Sequence, residues 1–175
     1  ILQKIRESEK EAVISEYSDK VGEIYTALMQ RMQRGQVIFE VGKATAYMPQ
    51  EEQIPNEFYR LGDRYKVLLK DIVDSQMVVS RADPNFLIGL FKLEVPEIES
   101  GVLEVKAIAR EAGSRSKMAV VSHQDGVDPI GSCVGQRGVR IANVMNELGE
   151  EKIDIIEWDD DPEKFIANSL SPAKI

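Results

Sequence analysis

The 175 residues contain one cysteine, Cys133, and one histidine, His123. A lone cysteine excludes an intrachain disulfide and a cysteine-rich zinc site, and it suits a reducing compartment. A Cys-His or Ser-His-Asp catalytic engine would have to use His123, and neither a nucleophile elbow nor a metal-ligand spacing accompanies it. His123 therefore reads as a solvated or hydrogen-bonded loop residue, and Cys133 as a small buried hydrophobe. No apolar run approaches the roughly 20 residues that cross a bilayer, and the opening Ile-Leu-Gln-Lys-Ile-Arg lacks the apolar core of a secretory signal. The expectation is a cytoplasmic protein without membrane contact, cofactor or bound metal, and not an enzyme. Asp159-Asp160-Asp161 lacks the alternating oxygen ligands of a calcium loop, so capping and solvation account for it. The chain opens on Ile1, with helical periodicity already under way, and is read as part of a longer protein.

Positive charge is also scarce. A net charge of −8 argues against a generic nucleic-acid binder, which is usually basic. The charge is segregated, however. Residues 104–140 carry a net +2, from Lys106, Arg110, Arg115, Lys117, Arg137 and Arg140 against Glu104, Glu111, Asp125 and Asp128. Residues 141–175 carry a net −6. Surface fields decay over about 8 Å at physiological salt, so a locally basic face survives in an acidic chain.

What is present is an apolar share of 43% arranged in two rhythms. Residues 1–18 lack proline and glycine and place Leu2, Ile5, Glu9, Ala12 and Val13 at near-helical spacing, which predicts a helix. From Gly22 the rhythm changes to short β-prone runs at 23–29, 36–41, 44–48, 64–73 and 76–80, punctuated by turn formers at Gly35, Gly42, Pro49, Pro55-Asn56 and Gly62-Asp63. Five short strands suit a small closed barrel of the OB type, because closure removes exposed sheet edges. Tyr25, Phe39 and Tyr47 are the aromatics expected on its surface, fewer than an RNA-binding barrel face usually shows. Next, Asp83-Pro84 predicts a capped helix whose apolar stripe is Phe86, Leu87, Leu90, Phe91 and Leu93. Leu103–Arg110 then alternates Leu103, Val105, Ala107 and Ala109 with Glu104, Lys106, Ile108 and Arg110, and Glu111-Ala112-Gly113-Ser114 turns it into a second strand over 117–122. Asp128-Pro129 opens a short helix to Val134. A second helix follows, with Ile141, Val144, Met145 and Leu148 on one face and Gly149 at its end. A strand over 152–158 and a helix from Asp161-Pro162 to Leu170 complete the order. Phe86, Phe91 and Trp158 read as core. The fold class is thus α+β, with a helix over 1–18, a barrel over 19–81 and a mixed domain over 82–175.

The element that carries chemistry is Gly135-Gln136-Arg137-Gly138, a GxxG tetrapeptide between two helices. Two glycines let a nucleic-acid backbone approach without Cβ obstruction, while helix N-terminal amides and the Arg137 side chain meet phosphate oxygens. Arg140 adds charge one turn later. Unpaired bases would lie along a groove between the first helix and the strand over 117–122, where Ile130 and Met118 offer apolar contact. Gly131, Arg115 and Lys117 complete the expected contact set. An isolated GxxG more often marks one helix ending and another starting, and it is the surrounding pattern that favours the functional reading.

That pattern carries a family resemblance. The segments EVPEIESGVLEVKAIAREAGSRSKMAV, VDPIGSCVGQRGVRI, GEEKIDIIEWDDDP and FIANSLSPAKI resemble the first KH domain of bacterial transcription elongation factors of the NusA type. MPQEEQIPNEFYRLGDRYKV and MVVSRADPNFLIGLF resemble the same family's OB barrel, of the ribosomal-protein-S-one type. Ala112 stands where the family usually has proline. The resemblance implies a five-stranded OB-type barrel followed by a prokaryotic-type (type II) KH domain with a three-stranded sheet packed by helices. It also implies binding of single-stranded nascent RNA through Gly135–Gly138, in a monomer that modulates pausing, termination and antitermination. RNA polymerase, engaged by a separate N-terminal domain, and other antitermination factors are the implied partners, and a second KH domain is expected after Ile175. Two competing readings stand beside it. One is a protein-interaction scaffold with an acidic recruiting surface and little RNA affinity. The other is the binding tail of an exonuclease of the polynucleotide phosphorylase family, which places its KH domain before its barrel, the reverse of the order here.

Overall fold

The computed structural model describes Glu9 and residues 11–149 and 151–170. Half of the predicted opening helix, residues 1–8 and Lys10, lies outside the described residues. Within them, residues 11–15 are helical and the chain turns at 16–19, so the helix stops short of residue 18. The chain forms two compact units, divided between Phe86 and Leu87.

The first unit is a closed barrel of five strands: β1 (Ile24–Gln33), β2 (Gln36–Val41), β3 (Ala44–Met48), β4 (Arg64–Val73) and β5 (Gln76–Ser80). Its order is β1-β2-β3-β5-β4, with β3 and β5 parallel, every other pair antiparallel, and β1 returning to β4 to close it. The strands close because each is short, strongly turned and apolar on one side. Ala27, Met29, Val37, Phe39, Val41, Ala46, Met48, Val67, Leu69, Met77 and Val79 fill the interior, joined by Ile14 from the helical turn. Bulges at Met29/Arg31 and Leu69/Asp71 bend the two longest strands. The bulge in β1 carries that strand to Gln33, four residues beyond the predicted end at Met29. Phe39, expected on the surface, is wholly buried. Beneath the barrel, Arg81 is 1% exposed. Its guanidinium donates to both Glu57 carboxylate oxygens (2.7 and 3.0 Å) and to the Lys66 carbonyl (2.6 Å), and it lies 5.3 Å from the Tyr65 and Phe86 ring centres.

The second unit begins within α1 (Pro84–Glu94), started by Asp83, whose carboxylate accepts from the Asn85 amide at 2.8 Å. Leu87, Leu90 and Phe91 are buried as expected, whereas Leu93 is 57% exposed and does not belong to the apolar stripe. After α2 (Pro96–Glu99) come β6 (Leu103–Glu111), β7 (Arg115–Ser122), α3 (Pro129–Val134), α4 (Val139–Leu148), β8 (Lys152–Glu157) and α5 (Pro162–Ser169). The sheet order is β6-β7-β8, antiparallel then parallel. A parallel pair needs a crossover, and α3 with α4 supplies it.

The alternation expected for β6 holds only to Val105. A bulge between Val105 and Ala107 shifts the phase, exposing Ala107 and Ala109 and turning Ile108 and Arg110 inward. The inward arginine meets Glu151, and both side chains are fully sequestered. The Glu151 carboxylate accepts from Arg110 Nη2 (2.9 Å) and Nε (3.1 Å), the Ser116 hydroxyl (2.9 Å) and the Gly113 amide (2.9 Å). One carboxylate thereby ties the β6–β7 hairpin to the start of β8. Cys133 is buried in α3, and burial pushes its thiol pKa up to about 11. The thiolate is the reactive form, so Cys133 is expected to react with a disulfide reagent at neutral pH only as the chain unfolds. Thiol titration across a denaturant series measures this.

Candidate nucleic-acid interface

The interface is built from the end of α3 and the start of α4. Asp128 caps α3 through its carboxylate, which accepts from the Ile130 amide at 3.1 Å, with Pro129 at the first position. Gly131 makes room for that cap, since a Cβ there would stand 2.7 Å from the aspartate oxygen. The chain then breaks sharply. Gly135 (φ 79°), Arg137 (φ 56°) and Gly138 (φ 72°) all have left-handed backbone, and Gln136–Gly138 forms a single 3₁₀ turn before α4 begins without a side-chain cap. Gly135 is demanded twice over. Beyond its φ, a Cβ would lie 2.7 Å from Arg140 Cγ. A non-glycine at positive φ costs energy and marks sites where the surroundings hold a strained geometry, and Arg137 is such a residue.

Gln136 and Arg137 are exposed, and Arg137 has no ion-pair partner among the described residues. Beside them lies an open cleft of about 460 Å³ lined by Gly131, Gly135, Gln136, Val139 and Arg140. The corner thus combines bare backbone, an uncapped helix start with its partial positive charge and an available guanidinium, the features that suit a phosphodiester chain. Ile130 is half-buried in the adjoining turn of α3.

The remaining expected residues fare differently. Met118 is wholly buried in the central strand and cannot touch a base. The strand's alternation, read correctly, puts it under the helices with Ser116 and Val120. Arg115 and Lys117 leave β7 on the opposite face, away from the corner. There Arg115 pairs with Asp154 at 2.8 Å and Lys117 donates to the Ser169 carbonyl of α5. Arg140 is engaged internally. Its Nη1 donates to Glu97 (3.0 Å) and to the Ser132 carbonyl (2.8 Å), and its stem lies against Gly135, so it braces the corner. Val139, 55% exposed on the cleft, was not anticipated. The available signal was an apolar residue directly after the GxxG, off the Ile141–Val144–Leu148 stripe.

The other singled-out residues have structural roles. His123 is exposed, with Nε2 2.7 Å from Glu104, and that hydrogen bond holds the Glu104 carboxyl below its usual pKa. Asp161 caps α5, Asp159 accepts from the Asp161 amide, and Asp160 accepts from the Trp158 indole at 3.1 Å. Trp158 packs on Phe165, with ring centres 4.4 Å apart. No helix among the described residues is long and apolar enough to cross a membrane.

Comparison with known proteins agrees with this geometry. Residues 81–158 match the model of the NusA-like first KH domain, which contains the whole Gly135–Gly138 corner. The full chain aligns with the transcription termination/antitermination protein NusA of Thermus thermophilus at 49% identity, covering 46% of that protein. It aligns with NusA of Bacillus subtilis at 44% (48% covered) and of Mycobacterium bovis at 43% (54% covered). The chain therefore spans about half the length of the curated relatives it matches. With a closed five-stranded barrel leading into a unit that matches the NusA-like first KH domain, this chain is similar to the NusA proteins over its full length.

Proposed function

We propose that the chain binds single-stranded RNA at the Gly135–Gly138 corner, without catalysis, as part of a cytoplasmic transcription factor that acts on nascent transcripts in pausing, termination and antitermination. RNA polymerase and other antitermination factors are its partners in that setting. The observation that carries the proposal is the corner itself: Gly135, Arg137 and Gly138 at positive φ present an exposed Arg137, without an ion-pair partner among the described residues, beside a helix start that has no side-chain cap. The relatives' shared name supplies the transcriptional setting.

The net charge of −8 is compatible with this because the charge is segregated, residues 104–140 carrying a net +2 and residues 141–175 a net −6. Glu57, Glu97, Glu151 and Asp154 each hold an arginine. RNA affinity measured by fluorescence anisotropy over a salt series tests the proposal. Because protein binding releases condensed cations from a single strand, log K falls with log salt at about −0.7 per phosphate neutralised. A slope near −1 to −3 is expected for a corner of this size, whereas no measurable binding at low salt would favour the scaffold reading.

A further inference from the structure

Phe58 is 79% exposed and Leu61 74%, the two most exposed large hydrophobic residues among those described, and Met32 is 51% exposed. All three belong to one part of the barrel unit. The loop over 53–63 is bonded to the β1–β2 hairpin near both its ends. Gln53 donates to the Gly35 carbonyl at 2.7 Å, while Gly62 donates to the Met29 carbonyl and Met29 to the Asp63 carbonyl, each at 2.9 Å. Met32 lies on the hairpin between those anchors, and Phe58 and Leu61 lie in the loop between them.

The exposure is imposed by the loop's neighbours. Glu57 is held inward by Arg81, and Tyr59 is buried with its hydroxyl accepting from the Ile54 amide at 3.1 Å, so Phe58 between them is directed outward. Around these apolar side chains stand Arg31, Arg34, Arg60 and Arg64, all exposed and without an ion-pair partner among the described residues. Residues 28–36 contain no carboxylate, and residues 53–64 contain Glu57 and Asp63. With Glu57 bound to Arg81, four arginines against Asp63 leave this surface at a net +3.

We infer that this loop and hairpin are a docking surface for an acidic segment of a partner protein, whose apolar side chain packs on Phe58, Leu61 and Met32 while its carboxylates meet the four arginines. Charge complementarity sets the sign of the partner, and the planar guanidinium fork matches a carboxylate two bonds at a time. The apolar component sets its class. Leu61 and Met32 have no ring on which a base could stack, whereas aromatic residues, methionine and arginine are the types enriched where proteins meet. An apolar cluster rimmed by charge is the usual mark of such a site. The surface is small, so the contact is of the weak, transient kind rather than a permanent assembly. It lies wholly in the barrel unit and does not rest on RNA binding at the Gly135–Gly138 corner.

The test titrates the whole chain with a peptide made of two repeats of Glu-Asp-Phe-Glu-Glu-Leu, followed by NMR of the backbone amides. Saturable shifts at 31–34 and 56–64 are expected, and a control peptide with serine in place of its phenylalanines and leucines should give none. Phe58→Ser is expected to weaken the peptide by about ten-fold or more, as for an apolar anchor at the centre of an interface. Arg60→Gln with Arg64→Gln is expected to weaken it several-fold and to remove most of its salt dependence. These side chains are exposed, so all variants should melt with the parent. Absence of binding overturns the inference, as does binding indifferent to Phe58→Ser or equal for the serine control. Shifts that fall on residues 130–140 instead also overturn it. So does displacement of the peptide from residues 31–34 and 56–64 by a lower concentration of oligouridine, which would make the surface a nucleic-acid contact.

Discussion

Glu151→Ala is expected to destabilise the KH unit by about 3–5 kcal/mol, the largest stability effect of any single change considered. The reason is the charge left behind. Arg110 is fully sequestered and its guanidinium has Glu151 as its ion-pair partner, and a buried cation without a counter-ion costs far more than the pair contributes. The Gly113 amide and the Ser116 hydroxyl lose their acceptor as well, and each buried donor left unmet costs about 1–3 kcal/mol. Replacing both partners, Arg110→Met with Glu151→Leu, is expected to recover much of the loss, since apolar pairs of similar volume often match or exceed buried ion pairs. Guanidinium unfolding of the two variants measures the difference. Equal destabilisation by single and double changes would contradict this view of the cluster.

The second large effect concerns affinity. Gln136→Asp with Arg137→Asp is expected to weaken binding to single-stranded RNA by at least about 30-fold, from the loss of a charge-assisted contact worth roughly 1.5–3 kcal/mol and the arrival of two anions facing phosphate. The salt slope should flatten by about 0.7 for each phosphate contact removed. The fold should tolerate the change. Both side chains are exposed, aspartate is among the residues most at ease at the φ of 56° found at Arg137, and a carboxylate near the start of α4 suits the helix dipole. A thermal melt close to that of the parent separates lost contact from lost structure.

Much of this architecture is legible in the chain itself. Strands β2 and β3 and the start of β4 fall where Gly35, Gly42, Pro49 and Gly62-Asp63 interrupt apolar alternation, because turn chemistry is local. The caps at Asp128 and Asp161 are equally local. What escaped is set by long-range geometry. The bulge in β6 reverses which residues face inward, so Arg110 looked like a surface charge and Ala107 like core. Met118 and Phe39 are apolar residues of a kind that serves a core or a binding face, and only closure of the sheet around them decides. Arg140 reads as a phosphate ligand until Glu97, forty-three residues earlier, is seen to hold it. At the corner, Gly135, Gln136, Arg137 and Gly138 were recognisable because their backbone requirement is written in glycine.

The most direct measurement follows backbone amides by NMR as an RNA of about four to six unpaired nucleotides is added, a length matched to the backbone stretch a GxxG loop clamps. Saturable shifts centred on residues 130–140 in the parent chain, lost in the Gln136→Asp/Arg137→Asp variant, are the predicted result. Shifts that spare the corner, or that persist undiminished in the variant, would contradict it.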